Sequence, residues 1–224
     1  MELKRDTLIL LFSRPDNGKQ LATTARAHQQ VWRTLQQHSR QQAAATGLPV
    51  RLWDAAQQVG STFAERLTHA LSTLQQEGWQ RVIIIGDDCP ELRHMQLTTA
   101  ARALENGHSV LGPDKEGGAY LIGLALAAFN PATFLTLPWQ TDHLLPALAE
   151  RLSQTGPLHT LSAQQDVDTL YALQQLVHSH RLVLPLQRML SSLITAAWAV
   201  LVETTTSSLL PIPIRAYRGP PAHT

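Results

Sequence analysis

The chain has 224 residues, of which 44% are apolar, and its formal net charge is +1 at pH 7. This apolar content is ample for a buried core, so the composition excludes a disordered chain and indicates one domain of ordinary size. A near-neutral charge, with no basic stripe among interleaved aromatic residues, argues against a nucleic-acid partner. The single cysteine, Cys89, excludes an internal disulfide. The first residues also lack a signal-peptide pattern. Both features predict a cytoplasmic protein.

Strand-like and helix-like segments alternate along most of the chain. Short apolar runs predict strands, and longer runs with apolar residues at helical spacing predict helices. The predicted strands are residues 7–12, 50–53, 82–85, 109–111, 120–124 and 158–161, and the predicted helices are residues 21–46, 61–77, 96–105, 142–152 and 168–178. This alternation predicts βαβ units, and therefore an α/β fold with a mainly parallel sheet.

The segment over residues 182–202 is apolar over nearly the thickness of a bilayer. It also contains Pro185 and Arg188, and a central arginine costs about 2.5–3.5 kcal/mol in a membrane. We therefore expect a helix that packs on the domain, or on a second subunit, rather than a membrane span. A Pro-rich tail follows it.

Two adjacent acids follow the most apolar of the predicted strands. Asp87 and Asp88 come directly after this strand and Gly86, where open α/β sheets bind their ligands. Neighbouring carboxylates repel each other unless a cation or a proton compensates them. Mg²⁺ shared with substrate phosphates is the natural ion for such oxygens. The alternative is an acidic turn that caps the helix after Pro90, and this segment alone leaves both interpretations open.

Two further segments at predicted strand ends carry polar or glycine residues. Glu116 precedes the pair Gly117 and Gly118, which let a backbone approach a ligand or form a tight turn. Trp139 and Thr141 bring an aromatic ring and a hydroxyl to the start of a helix. Either could contact a ligand, and Thr141 could instead be the helix N-cap.

The last polar segment, residues 165–169, has alternating acids before a helix. Asp168 or Thr169 could cap that helix, whereas Asp166 has no such obvious use. The sequence contains no Gly-x-Gly-x-x-Gly fingerprint, phosphate-loop motif, Gly-x-Ser-x-Gly elbow or His-Glu-x-x-His motif. This weighs against classical dehydrogenases, P-loop enzymes, α/β-hydrolases and zinc proteases.

In chain order these segments resemble a bacterial family with the type-A glycosyltransferase, nucleotide-diphospho-sugar transferase fold. Some of its members are assigned to arsenosugar biosynthesis, and many are uncharacterised. The matching stretches are residues 63–67, 85–92, 112–123, 138–141 and 166–169. The resemblance implies a three-layer, Rossmann-like transferase domain over residues 1–177. The apolar helix and tail over residues 178–224 would follow it and form a candidate contact in a homo-oligomer.

The resemblance also implies a metal-assisted glycosyltransferase that uses a nucleotide-activated sugar and a small-molecule acceptor. Asp88 would be the chief catalytic and metal-binding acid, and Asp166 a second acid on the metal side. Mg²⁺ or Mn²⁺ would bridge Asp88 to a nucleotide diphosphate and offset charge on the leaving group. Glu116 is the other candidate catalytic residue. The remaining candidate ligand contacts are Asp87, Gly117, Gly118, Trp139 and Thr141.

The chain departs from this family most strongly in the first loop. The family places a Lys-Thr-Arg triplet there, which this sequence lacks, so Arg14 and Lys19, or Arg26, are the candidate replacements as phosphate ligands. Glu116 stands in place of an aspartate, and Ala119 in place of an aromatic residue. Two alternatives therefore stay open: a catalytically inactive binding or assembly module, and a nucleotidyltransferase acting on a phosphorylated small molecule.

Overall fold

The computed structural model of the chain describes residues 6–13, 21–22, 24–179 and 181–207, with side chains up to residue 195. Its described residues form one six-stranded sheet in the order β2-β1-β3-β5-β4-β6. The strands are β1 (Thr7–Phe12), β2 (Val50–Trp53), β3 (Arg81–Ile85), β4 (Ser109–Pro113), β5 (Ala119–Ala125) and β6 (Leu158–Thr160). Only β5 runs antiparallel to its neighbours, which confirms the mainly parallel sheet.

The helices of the described residues follow the predicted order, with additions. They are α1 (Ala25–Ala44), α2 (Phe63–Gln76), α3 (His94–Glu105), α4 (Pro131–Leu135), α5 (Leu144–Ser153), α6 (Leu170–His178) and α7 (Leu184–Ser207), with a 3₁₀ turn at Leu126–Ala128. The first helix begins at residue 25 rather than 21, because the Thr24 side chain caps it by accepting from the Ala27 N–H. The short α4 was not predicted, although Asn130 caps it and Pro131 starts it.

Apolar residues cover both faces of the sheet, as the continuous apolar strands predict. On one face, Leu8 and Leu10 of β1 pack in a cluster with α2, α4 and α5. On the other face, Ile9 and Leu11 pack with α3 and with Ala43 of α1. The sheet and the helices packed on each of its two faces are the three layers of the predicted α/β fold.

A third cluster joins the C-terminal helix to the domain. Leu186 and Leu190 of α7 are buried with Val31 and Leu35 of α1 and with Leu173 of α6. The helix therefore packs on its own chain, as one of the two predicted arrangements requires. Within the described residues, no helix combines the length and hydrophobicity needed to cross a bilayer. The division at residue 177 and an oligomer contact stay predictions, and the Pro-rich tail from residue 208 lies outside the described residues.

Candidate active site

A cavity of about 990 Å³ opens at the edge of the sheet where the parallel strands end. The strand order reverses there, because β2 and β3 lie on opposite sides of β1, and such switch points are where open α/β sheets bind ligands. Every strand, or the segment next to it, contributes to the wall. Its polar and charged lining residues are Gln58, Ser61, Thr62, Arg66, Asp87, Asp88, Asp114, Glu116, Gln140, Thr141, Asp142, Asp166 and Asp168.

Asp87 links the loop after β3 to Ser13, the residue that follows β1. Its side chain is buried and accepts a hydrogen bond from the Ser13 hydroxyl. The Gln36 amide of α1 donates in turn to the Ser13 hydroxyl oxygen over 2.8 Å. Asp87 lines the cavity, but this network gives it a structural role beside the predicted ligand contact.

Asp88 lies half-buried in the cavity wall, with its carboxylate folded back over Gly86. A Cβ atom on residue 86 would lie 2.5 Å from Asp88 Oδ1, so only glycine leaves room for this placement. The alternative prediction, in which the two acids cap the helix after Pro90, is wrong. That helix, α3, begins at His94 with Arg93 as its N-cap.

The segment between β6 and α6 brings the second predicted acid to Asp88. The Val167 N–H donates to the Asp88 carbonyl oxygen over 2.8 Å, and the Asp166 side chain lies near the Cys89 thiol. Burial, and then the negative charges of Asp166 and Asp88, raises the pKa of Cys89 well above its ordinary value. Because the thiol is buried and stays protonated, Cys89 is a packing residue rather than a reactive one.

The glycine pair lies in a tight turn between β4 and β5. The Asp114 carboxylate accepts from the N–H groups of Glu116 and Gly118, each over 2.7 Å. This turn exposes Glu116 on the cavity wall beside Gly118. Gly117, with φ of +96°, packs against the following loop, because a Cβ there would lie 2.8 Å from the Asp142 carbonyl oxygen. In the structure Gly117 forms the turn and packs against this loop, and its contact with a ligand stays a prediction.

Trp139 and Thr141 belong to the loop that carries Gln140 into the cavity wall. The Trp139 indole N–H donates to the Phe134 carbonyl over 2.7 Å, and its ring packs 5.3 Å from the Phe63 ring, centroid to centroid. The Thr141 hydroxyl donates to Pro138 O over 2.7 Å. Thr141 as a helix N-cap is wrong, because that position in α5 is occupied by His143. Both residues line the cavity.

Arg66 is a cavity residue that was not among the predicted site residues. It lies in the first turn of α2, and its Nε donates to the Gly60 carbonyl over 2.9 Å. It is the only lysine, arginine or histidine on the cavity wall among the described residues. The signal was present, since Arg66 falls inside the matching stretch 63–67. The predicted phosphate ligands Arg14 and Lys19 lie outside the described residues.

A side chain of the protein caps the N-terminus of α2. The Glu65 carboxylate accepts from the N–H groups of Ser61 and Thr62, over 2.6 and 3.0 Å, and completes a capping box with Thr62. These hydrogen bonds, that of Thr62 first, hold the pKa of Glu65 below its ordinary value. The Glu65 carboxylate thus places a negative charge at this helix N-terminus.

The acids of the cavity do not form a ready-made metal cage. Within the described residues, no group of three or more histidine, cysteine, aspartate or glutamate side chains is arranged to hold an ion. Asp88 and Asp166 nevertheless line the same cavity. One or two carboxylates completed by substrate phosphates and water are what Mg²⁺ usually takes, so the donor set fits an ion that arrives with its ligand.

The architecture and its cavity define a nucleotide-diphospho-sugar transferase fold. A structure from Desulfovibrio desulfuricans G20, provisionally named a nucleotide-diphospho-sugar transferase, matches with a TM-score of 0.70 and 23% identity, covering 87% of this chain and 99% of that one. Rv0371c from Mycobacterium tuberculosis H37Rv matches with a TM-score of 0.50 and 15% identity, covering 80% and 100%. Its complex with manganese gives a TM-score of 0.48 at 16% identity, covering 78% and 99%. At these identities the likeness concerns the fold.

The chain belongs to the family described as uncharacterized proteins conserved in bacteria, DUF2064, which it matches over residues 17–141. This match and the fold confirm the resemblance inferred from the sequence. The stretch that matches the family includes Arg66, Asp88 and Trp139, whereas Asp166 lies after its end. No curated protein matches the chain.

Proposed function

We propose that this protein is a metal-assisted glycosyltransferase that takes a sugar from a nucleotide-activated donor. The observation that carries the proposal is the cavity at the switch point, where Asp88 and Asp166 line one wall and the Val167 N–H holds the Asp88 backbone. A volume of about 990 Å³ lies at the upper end of the range for small-molecule sites. It can hold a donor and an acceptor side by side.

Each charged group has a separate part in the proposed reaction. Asp88, with Asp166 beside it, would hold Mg²⁺ or Mn²⁺, and this ion would offset the charge of the leaving nucleotide diphosphate. Arg66 would add a cationic contact to the phosphates. Glu116, exposed on the cavity wall, would accept the proton of the acceptor hydroxyl as its oxygen forms the new bond to the sugar. The bond between the sugar and the diphosphate breaks in the same reaction.

Calorimetric titration tests the proposal directly. UDP, GDP and their sugars are titrated into the protein with and without Mn²⁺. At least one should bind only with the metal, and Asp88→Asn should lose that binding while keeping the same thermal unfolding. Asp54→Asn is the matched control, because Asp54 lies outside the cavity lining and its amide oxygen can still accept from Ala56 N–H. Unchanged binding in Asp88→Asn would refute the assignment.

The same preparations separate the two alternatives. Release of pyrophosphate from a nucleoside triphosphate, in the presence of a phosphorylated acceptor, would identify nucleotidyl transfer. No stabilisation of the protein by any nucleotide with metal, combined with a stable oligomer in solution, would identify an inactive assembly module. Hydrolysis or transfer of the donor sugar would support the proposed function.

A further inference from the structure

A set of hydrogen bonds fastens the loop before α6 to the loop after β3. We define the acidic loop as residues 164–168, which contain both cavity acids of this segment. Beyond the bond between Val167 and Asp88, the Gln165 N–H donates to a Glu91 carboxylate oxygen over 2.9 Å. At the other end of the loop, the Gln164 N–H donates to the Pro113 carbonyl over 3.1 Å. The acidic loop is therefore held along its backbone, not through its acids alone.

Glu91 is a buried carboxylate that the proposed reaction does not use. Its side chain is 7% exposed and pairs with Arg181 over 3.2 Å, between Oε1 and Nη1. Glu91 does not line the cavity. A buried carboxylate is costly unless it is paired and hydrogen-bonded. Arg181 and the Gln165 N–H meet that requirement, so the position of Glu91 depends on both.

Arg181 connects the same loop a second time. Its Nη2 donates to the Gln165 side-chain oxygen over 2.9 Å, so one guanidinium contacts both Glu91 and Gln165. Its own backbone is fixed by Arg93, whose Nη2 donates to the Arg181 carbonyl over 3.0 Å. Arg181 lies between α6 and α7, and it therefore links the C-terminal helical region to the cavity wall.

We infer that Glu91 and Arg181 are positioning residues that hold the acidic loop, and with it Asp166 and Asp168, against Asp88. They contact no reacting atom and act through the loop. The consequence for metal-dependent nucleotide binding rests on the proposed function. The positioning itself does not, because it concerns contacts within the chain. The connection to Arg181 also gives residues beyond the family match a part in shaping the cavity.

Two readouts on Arg181→Ala, Arg181→Lys and Glu91→Gln test this inference. The first is amide hydrogen exchange of the ligand-free protein. Exchange at Gln165 and Val167 should speed up at least tenfold in Arg181→Ala, while the amides of strand β3 keep their wild-type protection. Arg181→Lys keeps the charge and should recover part of the protection. Glu91→Gln keeps an acceptor for Gln165 and should show an intermediate effect.

The second readout is the Mn²⁺ concentration that gives half-maximal nucleotide binding. It should rise about tenfold in Arg181→Ala and less in Arg181→Lys, which a general loss of stability would not produce. Glu77→Gln is the matched control, because it removes the charge of the partner of Arg51 in another Arg–Glu pair, at 2.8 Å, away from the cavity lining. It should leave both readouts unchanged.

Each outcome tests either the positioning of the acidic loop or the proposed function of the site. Unchanged exchange at Gln165 and Val167 in Arg181→Ala overturns the positioning role. Faster exchange there with an unchanged Mn²⁺ requirement overturns its effect on the site. A wild-type protein that binds no nucleotide would instead defeat the proposed function, and the exchange data alone would then support or overturn the positioning of the loop.

Discussion

At the scale of single residues, Gly86 decides where the Asp88 carboxylate lies. Its substitution should displace a flexible side chain rather than backbone, because the atom that an added Cβ would meet is Asp88 Oδ1. We predict that Gly86→Ala weakens metal-dependent nucleotide binding about tenfold, or about 1.4 kcal/mol, with little change in thermal unfolding. Binding as tight as that of the wild type in Gly86→Ala would show that Gly86 does not set the position of the Asp88 carboxylate.

Arg66 permits a second prediction at this scale. Because it is the cation on the cavity wall within the described residues, Arg66→Ala should weaken binding of nucleotide diphosphates about tenfold at low salt. The difference from wild type should shrink at higher ionic strength, since an exposed charge is screened. Arg102→Ala, an exposed arginine of α3 away from the cavity, is the control. Equal affinities for wild type and Arg66→Ala would remove Arg66 from the site.

At the scale of elements, the capping box of α2 carries a stability prediction. Thr62 accepts from the Glu65 N–H over 3.2 Å, and losing such a cap costs about 1 kcal/mol. Thr62→Ala should therefore lower the free energy of unfolding in urea by about that amount, whereas Thr62→Ser should retain most of it. A loss no larger in the alanine variant than in the serine variant would show that the cap is not stabilising.

The N-caps of the helices show which helix starts can be predicted from the local sequence and which cannot. Thr62 caps α2 close to the start of the helix predicted over residues 61–77. Thr169 likewise caps α6 by accepting from Ala172 N–H over 3.1 Å. Thr141 failed as a predicted cap, because the Trp139–Asp142 loop turns once more before α5 begins, with Gln140 at φ of +62°. Packing against Gly117 holds that loop, and no local signal reveals such a contact.

At the scale of the whole molecule, His38 couples stability to pH. His38 is buried on α1. Its Nε2 lies 3.0 Å from the carbonyl oxygen of Leu92, in the loop between β3 and α3. Burial lowers the pKa of His38 below its ordinary value of 6.5, and this outweighs the Leu92 carbonyl, which raises it. The unfolded chain therefore takes up this proton first as the pH falls.

The sign of the pH effect follows from that order of protonation. His38 should reduce the free energy of unfolding as the pH falls below about 6.5, until the pH passes the lower pKa of the folded state. His38→Gln keeps an N–H donor for Leu92 O without a titrating group, so its stability should decline less over this window. Urea unfolding at pH 7.5, 6.5 and 5.5 measures the difference. Parallel profiles for the two proteins would contradict the assignment.

The sequence by itself predicted the six strands, the helices other than α4, and the acid at the carboxyl end of β3. These features follow from local patterns, because side chains buried on both faces require continuous apolar strands and amphipathic helices require their own period. The motif order was also enough to identify the family. Nothing in those patterns depends on which distant segments meet.

Only the tertiary structure decided which residues share the cavity. Asp88 and Asp166 lie far apart in the sequence and line the same cavity, because the loop after β6 packs against the loop after β3, where the Val167 N–H donates to the Asp88 carbonyl. Arg66 belongs to the site for the same reason, since the first turn of α2 lines the same cavity as the end of β3. Local propensities do not predict contacts between segments that are remote in the sequence. Such contacts form only when burial and hydrogen bonding bring these segments together in the folded core.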